Sequence, residues 1–367
     1  MSKERFTPDE LDIIGTLPSK VARFPDQPIY NLPISIKENR DMMFAGKRPM
    51  WIPSSADVKM FCPKIIPDNI ARGFVIGQET LDRSQYGGKD FFGIEWEFVP
   101  EVNGSMVRPG KPFLEDIEDW PEKIKFPDLS KYDWEGCAKI NAEFLDNNLI
   151  QVWVMNGLFE RLISFMEFEG AAMALIDEDQ QDAVKALFDR LCDFYDELID
   201  YYAKYFHPYS IYFHDDWGSQ RAPFFSLDTC MEMVEPYLKR VVESTHKRGM
   251  LFELHCCGQV ELLVPAMIAA GVDCWSGQPM NDRKKLVSLY GDKFVFGVPT
   301  PEIPEGATDE DIEKLADQFM ADYACNGGRI IAAPSAILAG ARRGDDGRWR
   351  NALYVRSRKA YDEANGN

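Results

Sequence analysis

The chain has 367 residues, 45% of them apolar, which is enough to bury a sizeable core. Its formal net charge is −19, from 60 acidic and 41 basic residues, and such an acidic surface argues against nucleic acid and anionic membranes as partners. Eight scattered cysteines, a polar N-terminus and the lack of an apolar run of about 18 residues argue against a disulfide scaffold, a secretory signal and a membrane span, and they predict a reduced, cytoplasmic enzyme.

Residues 1–45 are predicted to form an N-terminal extension. They mix proline, charge and short apolar stretches and include a polar helix at 35–45, and a short strand is predicted after them at 50–53. Residues 85–112 contain alternating aromatic and acidic side chains and a Pro-Gly turn, which predicts a β-hairpin. This hairpin and the extended connection after it form a predicted insertion at about 85–134.

From residue 150 onward, short apolar strands alternate with helices. The predicted strands cover 150–155, 211–213, 251–254, 272–275, 294–297 and 330–332, and the predicted helices cover 158–176, 181–205, 227–247, 261–270, 283–290 and 309–324. This alternation is typical of a parallel sheet, and no Gly-x-Gly-x-x-Gly turn favours a dinucleotide-binding fold. We therefore predict a (β/α)8 TIM barrel over 46–340 and a C-terminal helix or tail over 341–367. Functional residues of such a barrel lie at the carboxyl ends of its strands.

The strongest local signal is the segment Phe-Glu-Leu-His-Cys-Cys-Gly at 252–258. Alternation along a strand puts His255 and Cys257 on one face at the carboxyl end, where they could give zinc one nitrogen and one sulfur ligand. The alternative is a buried strand in which the cysteines are apolar filler and the histidine is hydrogen-bonded, because two ligands alone do not make a zinc site.

A second signal follows the predicted strand at 211–213. Asp215 and Asp216 come directly after it, and at least one of them should face the barrel mouth. Either carboxylate could ligate a metal, accept a proton or orient His255, and His214 could contact these groups. The alternative is structural, with Asp216 capping a turn and Asp215 pairing with an arginine.

Three further residues are candidate substrate contacts. Asn156 ends a strand and opens a helix, so it could bind a ligand, although helix capping is the commoner role. Gln278 follows the strand at 272–275 in the same way, and Trp217 lies beside the two aspartates. Together with Phe91, Phe92 and Trp96, Trp217 could wall a substrate or belong to the core.

Several of these segments resemble a known family, the uroporphyrinogen decarboxylase-like methyltransferases. Residues 214–223 resemble the family's Asp-Asp-x-Gly-x-Gln segment, and residues 254–260 resemble its Leu-His-x-Cys-Gly-x-Val. Residues 269–273 and 332–335 are also similar, and 89–96 with 112–127 resemble the insertion of the O-demethylase branch. The resemblance spans roughly 45–340 and implies a (β/α)8 barrel in which His255 and Cys257 bind zinc.

The chain departs from this family at one metal ligand. Thiol-methylating members complete the His-x-Cys set with a second cysteine near the last strand, where this chain has Ser335, and Cys325 lies before the strand and is an imperfect substitute. A carboxylate such as Asp215 or Asp216 could replace the missing ligand, so the third and fourth ligands stay open. The departure also weakens the expectation of thiol activation.

The resemblance implies a corrinoid-dependent methyltransferase. We hypothesise that the enzyme demethylates a small methoxylated, aromatic molecule and passes the methyl group to cob(I)alamin carried by a separate corrinoid protein, with zinc as a Lewis acid on the ether oxygen. The alternatives are transfer from a methylcorrinoid to a thiol or tetrahydrofolate, and a non-catalytic corrinoid-binding barrel. Porphyrinogen decarboxylation is not expected, because residues 30–60 lack the family's Arg-x-x-Gly-Arg segment. The oligomeric state, including a homo-oligomer, is left open.

Overall fold

The computed structural model describes residues 5–19, 21, 24–101, 104–324, 329–333 and 347–366. The strands in these residues are β1 (Ile13–Leu17), β2 (Gln27–Tyr30), β3 (Val58–Phe61), β4 (Gly88–Lys89), β5 (Glu95–Val99), β6 (Gly104–Val107), β7 (Leu149–Val154), β8 (Ser210–His214), β9 (Leu251–His255), β10 (Cys274–Trp275), β11 (Val295–Pro299) and β12 (Ile330–Ala333).

The α-helices follow the predicted rhythm in the second half of the chain. They are α1 (Ile36–Phe44), α2 (Pro67–Ala71), α3 (Trp120–Lys123), α4 (Trp134–Ile140), α5 (Ala142–Asp146), α6 (Leu158–Ala174), α7 (Gln181–Phe206), α8 (Leu227–Met233), α9 (Glu235–Lys247), α10 (Val264–Ala269), α11 (Arg283–Tyr290), α12 (Asp309–Tyr323) and α13 (Arg348–Ala364). None of the described helices combines the length and the hydrophobicity that a bilayer crossing requires.

The chain divides into two compact units. The central unit consists of Lys20–Arg23 and Val58–Asp273, and the terminal unit consists of Met1–Ser19, Phe24–Asp57 and Cys274–Asn367. The borders of these two units differ from the domain boundaries predicted at residues 45 and 340. The predicted extension, barrel and C-terminal tail stay predictions.

The central unit contains a parallel sheet in the order β3, β7, β8, β9. Helix α7 covers this unit with an apolar stripe at helical spacing, which the sequence pattern predicts. Its buried residues include Val184, Leu187, Leu191, Leu198 and Tyr202. The strand register pairs Trp153 with Tyr212 and Tyr212 with Glu253, and two residues further along it pairs His214 with His255. Partners in a parallel register point to the same face, so one sheet face carries both histidines at its carboxyl end.

The predicted hairpin is a three-stranded antiparallel sheet, in the order β4, β5, β6. Asp90 organises its turn, because one carboxylate oxygen accepts the backbone N–H groups of Phe92 and Ile94 at 2.9 Å. The other oxygen accepts the indole N–H of Trp96, also at 2.9 Å. The insertion therefore depends on a buried charge.

The terminal unit has its own elements. Strands β1 and β2 pair antiparallel, and β10, β11 and β12 are parallel neighbours. A buried ion pair between Glu10 and Arg358, 2.8 Å apart, joins the start of the described chain to helix α13.

Two local predictions are wrong. Residues 50–53 do not form a strand. The side chain of Asn39 accepts the backbone N–H groups of Met50 and Trp51 and donates to the Trp51 carbonyl, and only the end of the segment reaches the sheet, where the Pro53 carbonyl accepts the N–H of Ala332 on β12 at 2.8 Å. The first parallel strand is instead β3. The single helix predicted at 227–247 is two helices, α8 and α9, broken at Val234 because Pro236 has no N–H to donate.

The structure confirms a mixed α/β fold. Seven of the described strands have parallel neighbours, four in the central unit and three in the terminal unit, and helices follow them along the chain. This arrangement agrees with the TIM-like class, and it puts the residues at the carboxyl ends of β7, β8 and β9 next to one another.

Candidate functional site

The structure brings His255 and Cys257 together at the end of β9. The Nε2 atom of His255 lies 3.1 Å from the Cys257 sulfur and 3.5 Å from a carboxylate oxygen of Asp216, which follows β8. The same Asp216 oxygen accepts the backbone N–H of Cys257 at 2.6 Å. Ligands of a tetrahedral zinc ion lie about 3.3–3.6 Å apart, so the two distances from His255 Nε2 are close to the spacing of zinc ligands.

The electrostatics of this cluster suit a cation. Burial and the neighbouring His214 ring lower the pKa of His255 to about 3, so the imidazole is neutral and keeps a lone pair. Burial and the Asp216 carboxylate raise the pKa of the Cys257 thiol. A thiolate at this position therefore needs a positive charge beside it, which a divalent metal would supply.

His214 also belongs to the cluster. A ring nitrogen of His214, an oxygen of Asp216 and a ring nitrogen of His255 lie within 4.8 Å of one another. The Nδ1 atom of His214 is 2.5 Å from Glu160 on α6, and Glu160 also pairs with Arg72 at 3.0 Å. Although burial opposes ionisation, Arg72 and His214 lower the pKa of Glu160, which holds the carboxylate in its charged form.

Asp215 points away from the other aspartate and is fully buried. Its carboxylate accepts the backbone N–H groups of Phe159 and Glu160 at the start of α6, at 3.3 and 2.8 Å, and the indole N–H of Trp217 at 2.9 Å. Burial, followed by the nearby Glu160 charge, raises the pKa of Asp215 to about 7. The structure thus separates the predicted pair: Asp216 faces the cluster, and Asp215 secures the first turn of α6.

The two aspartates should respond differently to the same substitution. Asp215→Asn is expected to lower the free energy of unfolding by about 1–3 kcal/mol, because it disturbs three buried hydrogen bonds. Asp216→Asn keeps the acceptor for Cys257 and should change stability little, but should weaken zinc binding at least about 10-fold. Urea unfolding and metal analysis measure both effects. A loss of zinc affinity confined to Asp215→Asn would contradict this assignment.

The remaining predicted substrate contacts take other positions. Asn156 is fully buried and does not cap α6; its side chain accepts from Arg72 at 2.6 Å and donates to Asp68 at 3.0 Å. Trp217 is also fully buried and bonded to Asp215, so it positions that carboxylate instead of facing open space. Gln278 follows β10 in the terminal unit, where its carbonyl accepts from Asn281, and its substrate role stays a prediction.

The aromatic residues of the insertion form core packing. Phe91 and Phe92 each pack edge-to-face against Phe194 of α7, with ring centroids 5.5 and 5.4 Å apart. Trp96 is buried, and the Arg72 guanidinium lies 4.9 Å from its ring centre. The interpretation of these three residues as a substrate wall is therefore not favoured. Cys325 and Ser335, the positions discussed for a further metal ligand, lie outside the described residues.

Three further residues of the site, Arg72, Glu160 and Tyr212, have no role predicted from the sequence. Tyr212 lies on the site-facing side of β8, and its hydroxyl is 3.1 Å from Nδ1 of His255. The two-residue alternation that selects His255 and Cys257 also selects Tyr212 and His214, so this signal was present in the sequence. Arg72 and Glu160 come from other elements, and no local pattern points to them.

Glycines let the backbone segments of the site approach closely. Gly258 has φ +92°, and a Cβ there would lie 2.3 Å from the backbone of Gly218. Next to this contact, the N–H of Gln259 donates to the Ser219 carbonyl at 2.7 Å. The segments that carry Asp216 and Cys257 are thereby joined through their backbones.

Comparisons with known proteins agree with this fold. The model of the uroporphyrinogen decarboxylase family matches residues 163–340. No curated protein sequence matches the chain. A methyltransferase from Methanosarcina mazei has a similar structure, with a TM-score of 0.54 and 15% identity over 91% of this chain and 100% of that chain. At this identity, the likeness shows a shared fold.

Two other solved structures match with lower scores. A sugar phosphate isomerase/epimerase from Parabacteroides distasonis has a TM-score of 0.33 and 13% identity over 69% of this chain and 81% of that chain. A glycosylated endo-beta-1,4-xylanase from Gloeophyllum trabeum has a TM-score of 0.37 and 11% identity over 63% of this chain and 82% of that chain.

The matched range contains the strands β8 and β9 and the residues His214, Asp216, His255 and Cys257. The resemblance inferred from the short motifs is therefore confirmed at the level of the family. The uroporphyrinogen decarboxylase family is thus the family whose model residues 163–340 match, and the fold shared with a methyltransferase agrees with this match.

Proposed function

We propose that the chain is a corrinoid-dependent methyltransferase built on a (β/α)8 barrel. It removes the methyl group from a small methoxylated, aromatic molecule and passes it to cob(I)alamin on a partner protein. The observation that carries this proposal is the convergence of His255, Cys257 and Asp216 at the ends of two neighbouring strands. These three residues would hold zinc, which would act as a Lewis acid on the ether oxygen.

The donor set favours an ether over a thiol as the group that reacts. Among the described residues the cluster has one sulfur donor, Cys257, beside nitrogen and oxygen donors. Sulfur-rich sites suit soft ligands, whereas a set with fewer thiolates leaves more positive charge on the metal to polarise an oxygen. Asp216 in place of a second cysteine therefore supports demethylation.

An aromatic column beside the cluster supports an aromatic substrate. Trp153 stacks on Tyr212 with ring centroids 4.4 Å apart, and the half-buried Phe74 also stacks on Trp153, with centroids 5.9 Å apart. Tyr212 in turn contacts His255. Flat aromatic faces next to the reacting centre could orient the ring of a methoxyarene.

Proton delivery to the departing oxygen is limited by the structure. Asp215 is fully enclosed and bonded to three N–H donors, so it is poorly placed to protonate a leaving group. The chain's own contribution is therefore positioning: it holds the site-facing side chains of β8 and β9 and keeps the ends of these strands largely shielded from water.

A spectroscopic assay tests the proposed reaction. Zinc-loaded protein mixed with cob(I)alamin and a methoxybenzoate is expected to form methylcobalamin, which absorption spectra detect, and the matched ethoxybenzoate should react far more slowly. Chelator-treated protein is the control. If methylcobalamin is consumed in the presence of a thiol or tetrahydrofolate and none forms from the methoxyarene, transfer runs in the other direction and the proposal is wrong.

A further inference from the structure

We propose that His214 is an additional metal ligand, held in position by Glu160 and Arg72. This inference deepens the proposed function and rests on it, because that function places a metal at His255 and Cys257. His214 then supplies a donor that the family motif does not provide. The chain would use two imidazoles, one thiolate and one carboxylate.

The two histidines form a matched pair on neighbouring strands. His214 and His255 are register partners on β8 and β9, and their rings stack with centroids 4.2 Å apart and planes 22° apart. Each ring has its Nδ1 atom engaged, His214 by Glu160 at 2.5 Å and His255 by the Tyr212 hydroxyl at 3.1 Å. In both rings this leaves Nε2 as the nitrogen for a metal.

Glu160 fixes the orientation of the His214 ring. Metal-binding histidines commonly donate their other ring N–H to a carboxylate, which selects the tautomer and strengthens the lone pair. Glu160 is almost fully buried and is itself held by Arg72, whose guanidinium also bonds to Asn156. A buried carboxylate fixed in this way has little freedom to release the imidazole.

The local charge favours a cation at this point. Glu160, Asp216 and a Cys257 thiolate would carry three negative charges, and when His214 is a neutral ligand the Arg72 side chain supplies one positive charge against them. A divalent ion between His214 and Asp216 would offset the remaining charge. The ligand atoms of His214, Asp216 and His255 lie within 4.8 Å, so they need to close by roughly an ångström to reach zinc distances.

Cobalt(II) titration of the full chain tests this inference. Bound cobalt reports its ligands through thiolate-to-cobalt charge transfer and through visible bands that are intense in tetrahedral sites. His214→Gln is expected to weaken cobalt binding at least about 100-fold and to reduce the visible bands, while the charge-transfer band from Cys257 persists at saturating metal. Glu160→Gln, which removes the charge of the orienting group and its ion pair with Arg72, should weaken binding about 10- to 100-fold.

The control variant is His246→Gln, since His246 is a partly exposed histidine paired with Asp273 outside the cluster; it should bind cobalt like the wild type. Wild-type affinity and visible bands in His214→Gln would overturn the inference and leave the proposed function standing. No thiolate charge transfer in the wild type would overturn both.

A measurement on the wild type avoids any folding defect of the variants. X-ray absorption of the zinc-loaded chain should show one sulfur and two imidazole ligands. A spectrum with one sulfur and only one imidazole ligand would overturn the role of His214, but it would still agree with a site at His255 and Cys257.

Discussion

Cys257→Ala is expected to remove bound zinc and methyl transfer together while the fold is kept. In the proposed site the Cys257 sulfur, 3.1 Å from His255 Nε2, would be the thiolate donor, and alanine offers no donor. A Lewis acid on the leaving oxygen contributes several kcal/mol, so the transfer rate should fall at least about 1000-fold. Metal analysis, the methylcobalamin assay and thermal unfolding measure the three consequences.

His255→Ala should also remove bound zinc and methyl transfer together, because it removes the other donor of the motif. Cys192→Ala is the matched control: Cys192 is a buried cysteine on α7 that donates to the Tyr237 carbonyl, and its loss should affect neither zinc nor turnover. If Cys257→Ala or His255→Ala keeps both stoichiometric zinc and turnover, the site assignment is wrong.

Arg161→Met should destabilise the protein more than any substitution at the metal cluster. Arg161 is fully buried and pairs with Asp68 and with Asp90, the latter at 2.5 Å. Removing it leaves two buried carboxylates without their cation, which typically costs about 3–5 kcal/mol. Burial already raises the pKa of Asp90 despite the opposing effect of Arg161, which indicates how costly its charge is there. Urea unfolding measures the loss.

Two comparisons identify the unpaired charge as the cause. Arg240→Met removes exposed pairs with Asp189 and Asp193 and should cost less than about 1 kcal/mol. Asp90→Asn introduced into the Arg161→Met protein should recover part of the lost stability, because it removes one uncompensated charge. If Arg161→Met and Arg240→Met lower the free energy of unfolding by equally small amounts, the buried ion pairs contribute no more to stability than the surface pairs.

Local regularities explain what the sequence predicts correctly. Apolar strands and amphipathic helices such as α7 have their own periodicity, and two-residue alternation places His255 beside Cys257 without knowledge of the fold. The same alternation separates Asp216 from Asp215, but the sequence alone does not show that Asp215 contacts the start of α6, so both were candidates for one role.

Contacts between distant segments explain what the sequence could not show. Arg72 and Asn156 are 84 residues apart, and Glu160 and His214 are 54 residues apart. No periodicity links such positions, and only the packing of α6 against the sheet brings them together. The misassigned segment at 50–53 has the same origin, because the side chain of Asn39 bonds the backbone of Met50 and Trp51 and leaves only Pro53 to bond to β12.

The close approach of Gly258 to Gly218 has a consequence for how the proposed site would bind a metal ion. Because backbone contacts join the segments after β8 and β9, the oxygen of Asp216 and the sulfur of Cys257 are held near one another before a metal binds. Side-chain rotations would then be enough to bring them to a bound metal ion. Metal binding would then cost little conformational entropy, and we expect the metal-free and metal-bound forms to have nearly the same backbone.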